Sequence, residues 1–162
     1  MYPNETKEIF MYTEQMTQKL SVIDVLNSQS VTNASVNSVV GIDMQKFRRV
    51  MFVIQAASLG AAGTLDGRLQ SSASSTFASG VHNITNSNLT QITVNNAIAT
   101  IEVSQDLVSS YNAGDRYVRL NLTGGGNAIT VAAVALGGEA QEKPANKSDL
   151  NTTYLSQRVV VS

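Results

Sequence analysis

Three apolar stretches bounded by polar or glycine-marked turns constrain this chain most: Lys46-Phe-Arg-Arg-Val-Met-Phe-Val-Ile-Gln55, Asp115-Arg-Tyr-Val-Arg-Leu-Asn-Leu-Thr123 and Ala128-Ile-Thr-Val-Ala-Ala-Val-Ala-Leu136. In the second, Val118, Leu120 and Leu122 alternate with Tyr117, Arg119, Asn121 and Thr123, which is the period of two of a half-buried strand. Elements that bury one face each must close against one another, so the pattern predicts an all-β sandwich. A chain of 162 residues holds one such core.

The strand assignments follow from period and punctuation. Phe47 to Gln55 is so continuously apolar that burial on both faces, or a central position, is expected. Leu65 and Leu69 share a face opposite Asp66, Arg68 and Gln70, and an edge strand is expected near Leu89 to Val94. Ala97, Ala99, Ile101 and Val103 form another inward face, followed by a polar corner from Ser104 to Asp115. Gly124-Gly-Gly-Asn127 reads as a hairpin turn between the second and third stretches. Upstream, Ile9, Tyr12, Met16 and Leu20 mark one stripe of an amphipathic helix over Glu5 to Leu20, with Asn4 as N-cap. Val22 to Leu26 reads as a short lead-in strand. Glu139 to Asp149 reads as a loop or extended arm, and Tyr154 to Val161 as a terminal strand. These expectations divide the chain into an arm, helix and lead-in strand (1–37), a sandwich core (38–138) and an extended tail (139–162).

Composition narrows the function classes. Charged residues make up 14% of the chain, against about a quarter in ordinary domains, and Ser, Thr, Asn and Gly take their place. Such a surface is cheap to desolvate and suits a protein that works packed against neighbours. The net charge of −1 supplies no cationic surplus for a phosphate backbone, so no nucleic-acid partner is expected. The absence of cysteine removes disulfides, thiolate zinc sites and cysteine nucleophiles together. The first residues lack a basic head and apolar core, and no apolar run approaches the ~18 residues that span a bilayer, so neither export nor a membrane partner is expected. Seven Asn-x-Ser/Thr sequons, at Asn4, Asn33, Asn83, Asn88, Asn121, Asn146 and Asn151, are what an Asn-, Ser- and Thr-rich chain produces by chance.

The residues offer little catalytic chemistry. His82 is the only histidine and reads as a surface loop residue. Asp66, Glu102, Asp106 and Asp115 could supply a carboxylate pair for glycoside hydrolysis, yet they read as turn and solvent-face carboxylates. Tyr111, Tyr117 and Tyr154 are the strand-region aromatics available to a sugar platform, and there is no tryptophan. Gly124–Gly126 lacks the Lys-Ser/Thr of a phosphate loop. Arg48, Arg49, Arg116 and Arg119 flank the strands and are expected to pair within the chain before any partner. No catalytic residue, cofactor or metal site is assigned, and the chain is not expected to be an enzyme.

The segments Lys46-Phe-Arg-Arg-Val, Gly63-Thr-Leu-Asp-Gly-Arg-Leu-Gln70, Asp115-Arg-Tyr-Val-Arg119 and Ala135-Leu-Gly-Gly138, in this order and spacing, resemble the head-decoration or capsid-cement proteins of tailed bacteriophages. The likeness covers residues 20–161. It implies a jelly-roll-like antiparallel β-sandwich and a homo-oligomer, dimer or trimer, with extended ends that tie capsomers together; the N-terminal arm containing a short helix lies outside the likeness and rests on the apolar stripe alone. The likeness further implies a virion protein made in the host bacterial cytoplasm, bound to the phage major capsid protein on the capsid's outer surface. Ile9, Phe10, Tyr12, Met16 and Leu20 in the front segment, with Pro144 and Tyr154 in the tail, are the candidate partner-binding residues on two arms that order on the shell. A carbohydrate-binding or tail-adhesin module is the alternative, because such sandwiches also bind glycans.

Overall fold

The computed structural model describes residues 16–38 and 41–142. A single turn of helix, α1 (Met16–Lys19), leads into β1 (Leu20–Val31). The chain then forms β2 (Ser35–Asn37), β3 (Ile42–Asp43), β4 (Phe47–Leu59), β5 (Thr64–Ser72), β6 (His82–Asn83), β7 (Ala97–Ser104), α2 (Gln105–Tyr111), β8 (Tyr117–Gly125) and β9 (Ile129–Ala140). Two antiparallel sheets pack face to face. Sheet A has the order β1-β9-β4-β7, and sheet B the order β2-β8-β5-β6, with β3 also paired to β8. The chain therefore passes repeatedly from one sheet to the other, and the pair of orders is that of a jelly roll.

The core lies where the inward parity of the strands predicts it. Phe47, Val50, Phe52, Ile54 and Ala56 of β4, with Ile129 and Val131 of the neighbouring β9, face Leu65 and Leu69 of β5 and Val118, Leu120 and Leu122 of β8 across the interior, and all are buried. Each such aliphatic side chain contributes roughly 1.5–3 kcal/mol by leaving water. This inner set makes the two sheets one unit.

Several expectations give way to the structure. The Gly124–Asn127 turn closes no hairpin, because β8 belongs to sheet B and β9 to sheet A. It is an arch, which leaves the apolar faces of its two strands opposed across the core, where a hairpin would set them side by side. The turn at 60–63 carries β4 into β5 by the same kind of arch, and the two stack, with the Gly60 amide donating to the Ala128 carbonyl at 2.9 Å. Gly126 has φ of 74° and sits so close to the Ala62 carbonyl that a Cβ would collide with it.

The expected polar corner after β7 contains α2. Ser104, in extended backbone, caps it by accepting from the Leu107 amide at 3.4 Å, and Val108 is buried beneath. Leu20 opens β1 and does not end a helix; the expected lead-in strand runs well past Leu26, to Val31. The expected edge strand near Leu89 does occupy an edge, beside β5, but as an irregular segment. It holds on through Ile84 N to Leu69 O at 3.0 Å, Leu89 N to Gly67 O at 2.8 Å and paired Leu65–Ile92 bonds of 2.9 Å. β4 is flanked by β9 and β7 as a central strand should be, but only one of its faces is covered, because Met51 and Val53 point away from the core and stay half-exposed. Ile9, Phe10, Tyr12, Pro144, Tyr154 and the expected terminal strand lie outside the described residues.

Candidate functional site

The uncovered side of β4 belongs to a wider surface. Cross-strand register aligns Val22, Leu136, Met51 and Glu102 in one row over β1, β9, β4 and β7, and Val25, Val134, Val53 and Thr100 in the next. Ala132, Gln55 and Ile98 continue it, with Ile98 70% exposed. The outer face of sheet A is thus mostly aliphatic. At one end a groove of about 360 Å³ opens, with Met16, Leu20, Met51 and Leu136 as its apolar lining and Lys19, Arg49, Glu102 and Glu139 around them. Arg49 binds Glu102 at 3.1 Å and Glu139 at 3.4 Å, so the charges at this end are mutually engaged.

Both ends of the sandwich strands meet beside this groove. Leu20, the first residue of β1, pairs with Gly138 near the close of β9. The segments carrying the predicted arms therefore join the sandwich next to each other on sheet A. Of the candidate partner-binding residues, Met16 and Leu20 are described, and the fold brings both into the groove.

Sheet B turns a different outer face to solvent. Asn37, Asn121 and Arg68 form one cross-strand row, joined by Asn121 Nδ2 to Asn37 Oδ1 at 2.7 Å and Arg68 Nε to Asn121 Oδ1 at 3.3 Å. Ser35 and Thr123 share a hydroxyl hydrogen bond of 2.8 Å, while Asp66 accepts from Gln91 Nε2 at 3.1 and 3.2 Å. Arg119 Nε donates to Gln70 Oε1 at 2.9 Å, and its guanidinium lies 4.4 Å from the centre of the Phe77 ring. The polar groups of this face are largely spent on each other. Asn121 is buried, so its sequon is closed to modification.

The catalytic candidates are placed apart or tied down. Asp66 stands on the outer side of sheet B and Glu102 on that of sheet A, with the whole core between them. Asp106 sits in the first turn of α2. Asp115 is buried just ahead of β8, where its Oδ2 accepts from Ser71 Oγ at 2.6 Å and lies 3.0 Å from His82 Nδ1. Burial pushes the Asp115 carboxyl up, but the bonds from Ser71, His82 and Asn112 outweigh it and hold the group below its ordinary range. A serine nucleophile needs its hydroxyl on the imidazole. Here the fully buried Ser71 donates to the carboxylate, so the trio is a structural tie between β5, β6 and β8. His82 is exposed, as expected, but it opens the short strand β6 where a loop was expected, and it is anchored by a partner far along the chain.

Three of the four strand-flanking arginines bond within the chain: Arg116 forks onto Asp43, with Nε to Oδ1 at 2.7 Å, and Arg49 and Arg119 are engaged as above. The Arg116 bond leads the influences that keep Asp43 below its usual range. Tyr111 donates its hydroxyl to the Thr85 carbonyl at 3.1 Å, and Tyr117 packs under Arg116. Among the described residues no cluster of His, Asp and Glu could hold a metal ion, and no helix is long and apolar enough to cross a membrane. Neither family models nor curated proteins nor solved structures yield a match to this chain.

The outward set Val22, Val25, Met51, Val53, Ile98, Val134 and Leu136 is the candidate surface that sequence reasoning missed. Its signal was present in the doubly apolar run of β4, which suggested two-sided burial. What had no signal was that the second side would be left bare.

Proposed function

We propose that this chain is a structural virion protein that binds the outer surface of a bacteriophage capsid and cements adjacent capsomers. Jelly rolls serve viral shells and lectins alike, so the fold alone does not choose between these roles. The observation that carries the reading is the aliphatic outer face of sheet A, beside which the two prospective arms join the sandwich. A face of this kind, low in charge and repeated at every symmetry-related position of a shell, turns modest individual contacts into strong retention. The likeness in strand order and spacing to head-decoration proteins points the same way. Glycan binding is less well supported, since the outer polar groups of sheet B are engaged with one another and no aromatic platform lies among them.

The test is reconstitution. Heads assembled without this protein should form but burst at lower temperature or milder osmotic shock, and purified protein should restore them. The variant Met51→Thr/Val53→Thr, which removes aliphatic surface without disturbing the core, should fold and fail to restore. Heads indifferent to the protein would sink the reading.

A further inference from the structure

β7 closes sheet A on one side and pairs with β4 alone. The Asn96 amide donates to the Ala57 carbonyl at 3.3 Å, and the register runs on from there without a shift, so Ile98, Thr100 and Glu102 spend their backbone groups on β4. Ala97, Ala99 and Ile101 therefore direct their amides and carbonyls away from the sheet, and among the described residues nothing bonds to them. Exposed edges of this kind are usually guarded by shortness, bulges, proline or basic side chains. The other edges obey that rule: β2 and β6 are very short, and β1 is broken by register shifts after Val22 and Leu26. β7 is long and regular and holds no proline, lysine or arginine.

We infer that a second copy of this chain adds its own β7 antiparallel to this edge about a two-fold axis, which joins two copies of sheet A into one continuous sheet. The edge complements itself when Ala99 lies on the axis. Ala97 then stands opposite Ile101 of the second copy, and every outward donor and acceptor of the open run finds a partner. On the outer face Ile98, 70% exposed in the single chain, stands opposite Thr100 of the second copy, a β-branched pair. Glu102, the one charge of the strand, falls beyond the paired run and meets no like charge. Centring on Thr100 would instead set Ile98 against Glu102 and call on Val103, which is buried ahead of α2. The outer rows Val53–Thr100 and Gln55–Ile98 would run on into their counterparts, so pairing doubles the aliphatic face without covering it. So short a run buries less than the ~800 Å² per partner of a standard interface, which makes the association weak and concentration-dependent. The inference concerns the isolated protein and does not rest on the shell reading.

Sedimentation equilibrium of the full-length protein should show the mass rising from one chain toward two between ~1 and ~500 μM. Over the same range, hydrogen exchange at the Ala97, Ala99 and Ile101 amides should slow about tenfold, with a smaller change at Ile98 and Thr100, which are already bonded to β4. Ile98→Lys/Thr100→Lys sets like charges opposite one another across the axis and should weaken the dimer roughly tenfold, whereas Ile98→Glu/Thr100→Lys sets opposite charges there and should restore it. Both positions are exposed, and retained protection of the β4 amides reports that each variant has folded. A monomer at every concentration, exchange that ignores concentration, or two charge variants that dimerise alike would each overturn the edge pairing. So would a dimer lost to Met51→Thr/Val53→Thr but not to Ile98→Lys/Thr100→Lys, which would put the contact on the face of the sheet. A dimer that leaves heads fragile retains the pairing and discards the shell reading, and a monomer that restores heads does the reverse, so the two fail separately.

Discussion

Strands β4 and β5 follow one another across a single turn, yet what they turn outward differs in kind: Met51 and Val53 on β4 against Asp66, Arg68 and Gln70 on β5. Inward, both obey one rule, a buried residue at every second position: Val50, Phe52, Ile54 and Ala56 on β4, and Leu65, Gly67, Leu69 and Ser71 on β5. Outward, sheet B has a hydrogen-bonded lattice of carboxamides, hydroxyls and guanidinium groups, while sheet A has bare aliphatic rows. Folding requires the inner parity and leaves the outer parity free. The outer face of sheet A carries apolar groups that the fold does not need, and for that reason it is read as the working surface.

The comparison is broken most severely from the inside. Leu120→Asp or Val131→Asp places a carboxylate among fully buried side chains and should cost on the order of 4–5 kcal/mol, enough to unfold a domain of ordinary stability. Circular dichroism at 25 °C should show loss of the strand signal. A folded protein would mean that the two inner faces are not jointly the core. Val53→Thr, on the same sheet but facing out, should stay within about 1 kcal/mol of the parent in urea titration.

The next effect separates sheet B and its ties from sheet A. Asp43 and Asp115 both titrate below the ordinary carboxyl value of 3.8. The folded state therefore binds these protons less tightly than the unfolded state does. Their contribution is complete above 3.8 and is lost as the pH falls below that value and through the lowered folded-state values. Stability should decline with acid over this window, and Asp115→Asn should flatten part of the slope while costing about 1–3 kcal/mol at neutral pH. Parallel urea titrations at neutral and acid pH check both. An unaltered slope would mean that the Ser71–Asp115–His82 tie does not favour the charged carboxylate. No comparable titration is expected from the aliphatic rows of sheet A.

The inner face was legible because alternation in a single strand suffices to reveal it: Val118, Leu120 and Leu122 declare their side without reference to any other element. What depends on pairing was not legible. The glycine turn before Ile129 serves a hairpin or an arch equally well, and only the placement of β1 and β4 around β9 decides between them. α2 is seven residues long, too short for periodicity to separate from a polar corner, and its visible signal was the single capping serine at 104. Pairs such as His82 with Asp115, or Asn37 with Asn121, join residues far apart in sequence and follow from register alone. Of the candidate site, Met16 and Leu20 could be picked out as part of a helical stripe, although the fold uses Leu20 as a strand residue. The aliphatic rows themselves were half-legible, since the run from Phe47 to Ile54 announced two apolar sides but not that one of them would face outward.

The finest distinction lies between cross-strand neighbours on the two outer faces. Ser35 and Thr123 sit opposite each other on sheet B with their hydroxyls 2.8 Å apart, whereas Val53 and Val134 sit opposite each other on sheet A and have only methyl groups to offer one another. Each pair should contribute roughly 0.2–1 kcal/mol, so size alone will not tell them apart. Their chemistry will. In a double-mutant cycle, Ser35→Ala with Thr123→Val should show coupling of a few tenths of a kcal/mol that comes from one directional bond and vanishes once either hydroxyl is gone. The cycle Val53→Ala with Val134→Ala should show weaker coupling, because contact between methyl groups is non-directional and each remaining side chain recovers much of it from other neighbours. Equal coupling energies in the two cycles would show that the outer faces differ in composition but not in how their neighbours hold together, and the contrast between the sheets would then be one of surface alone.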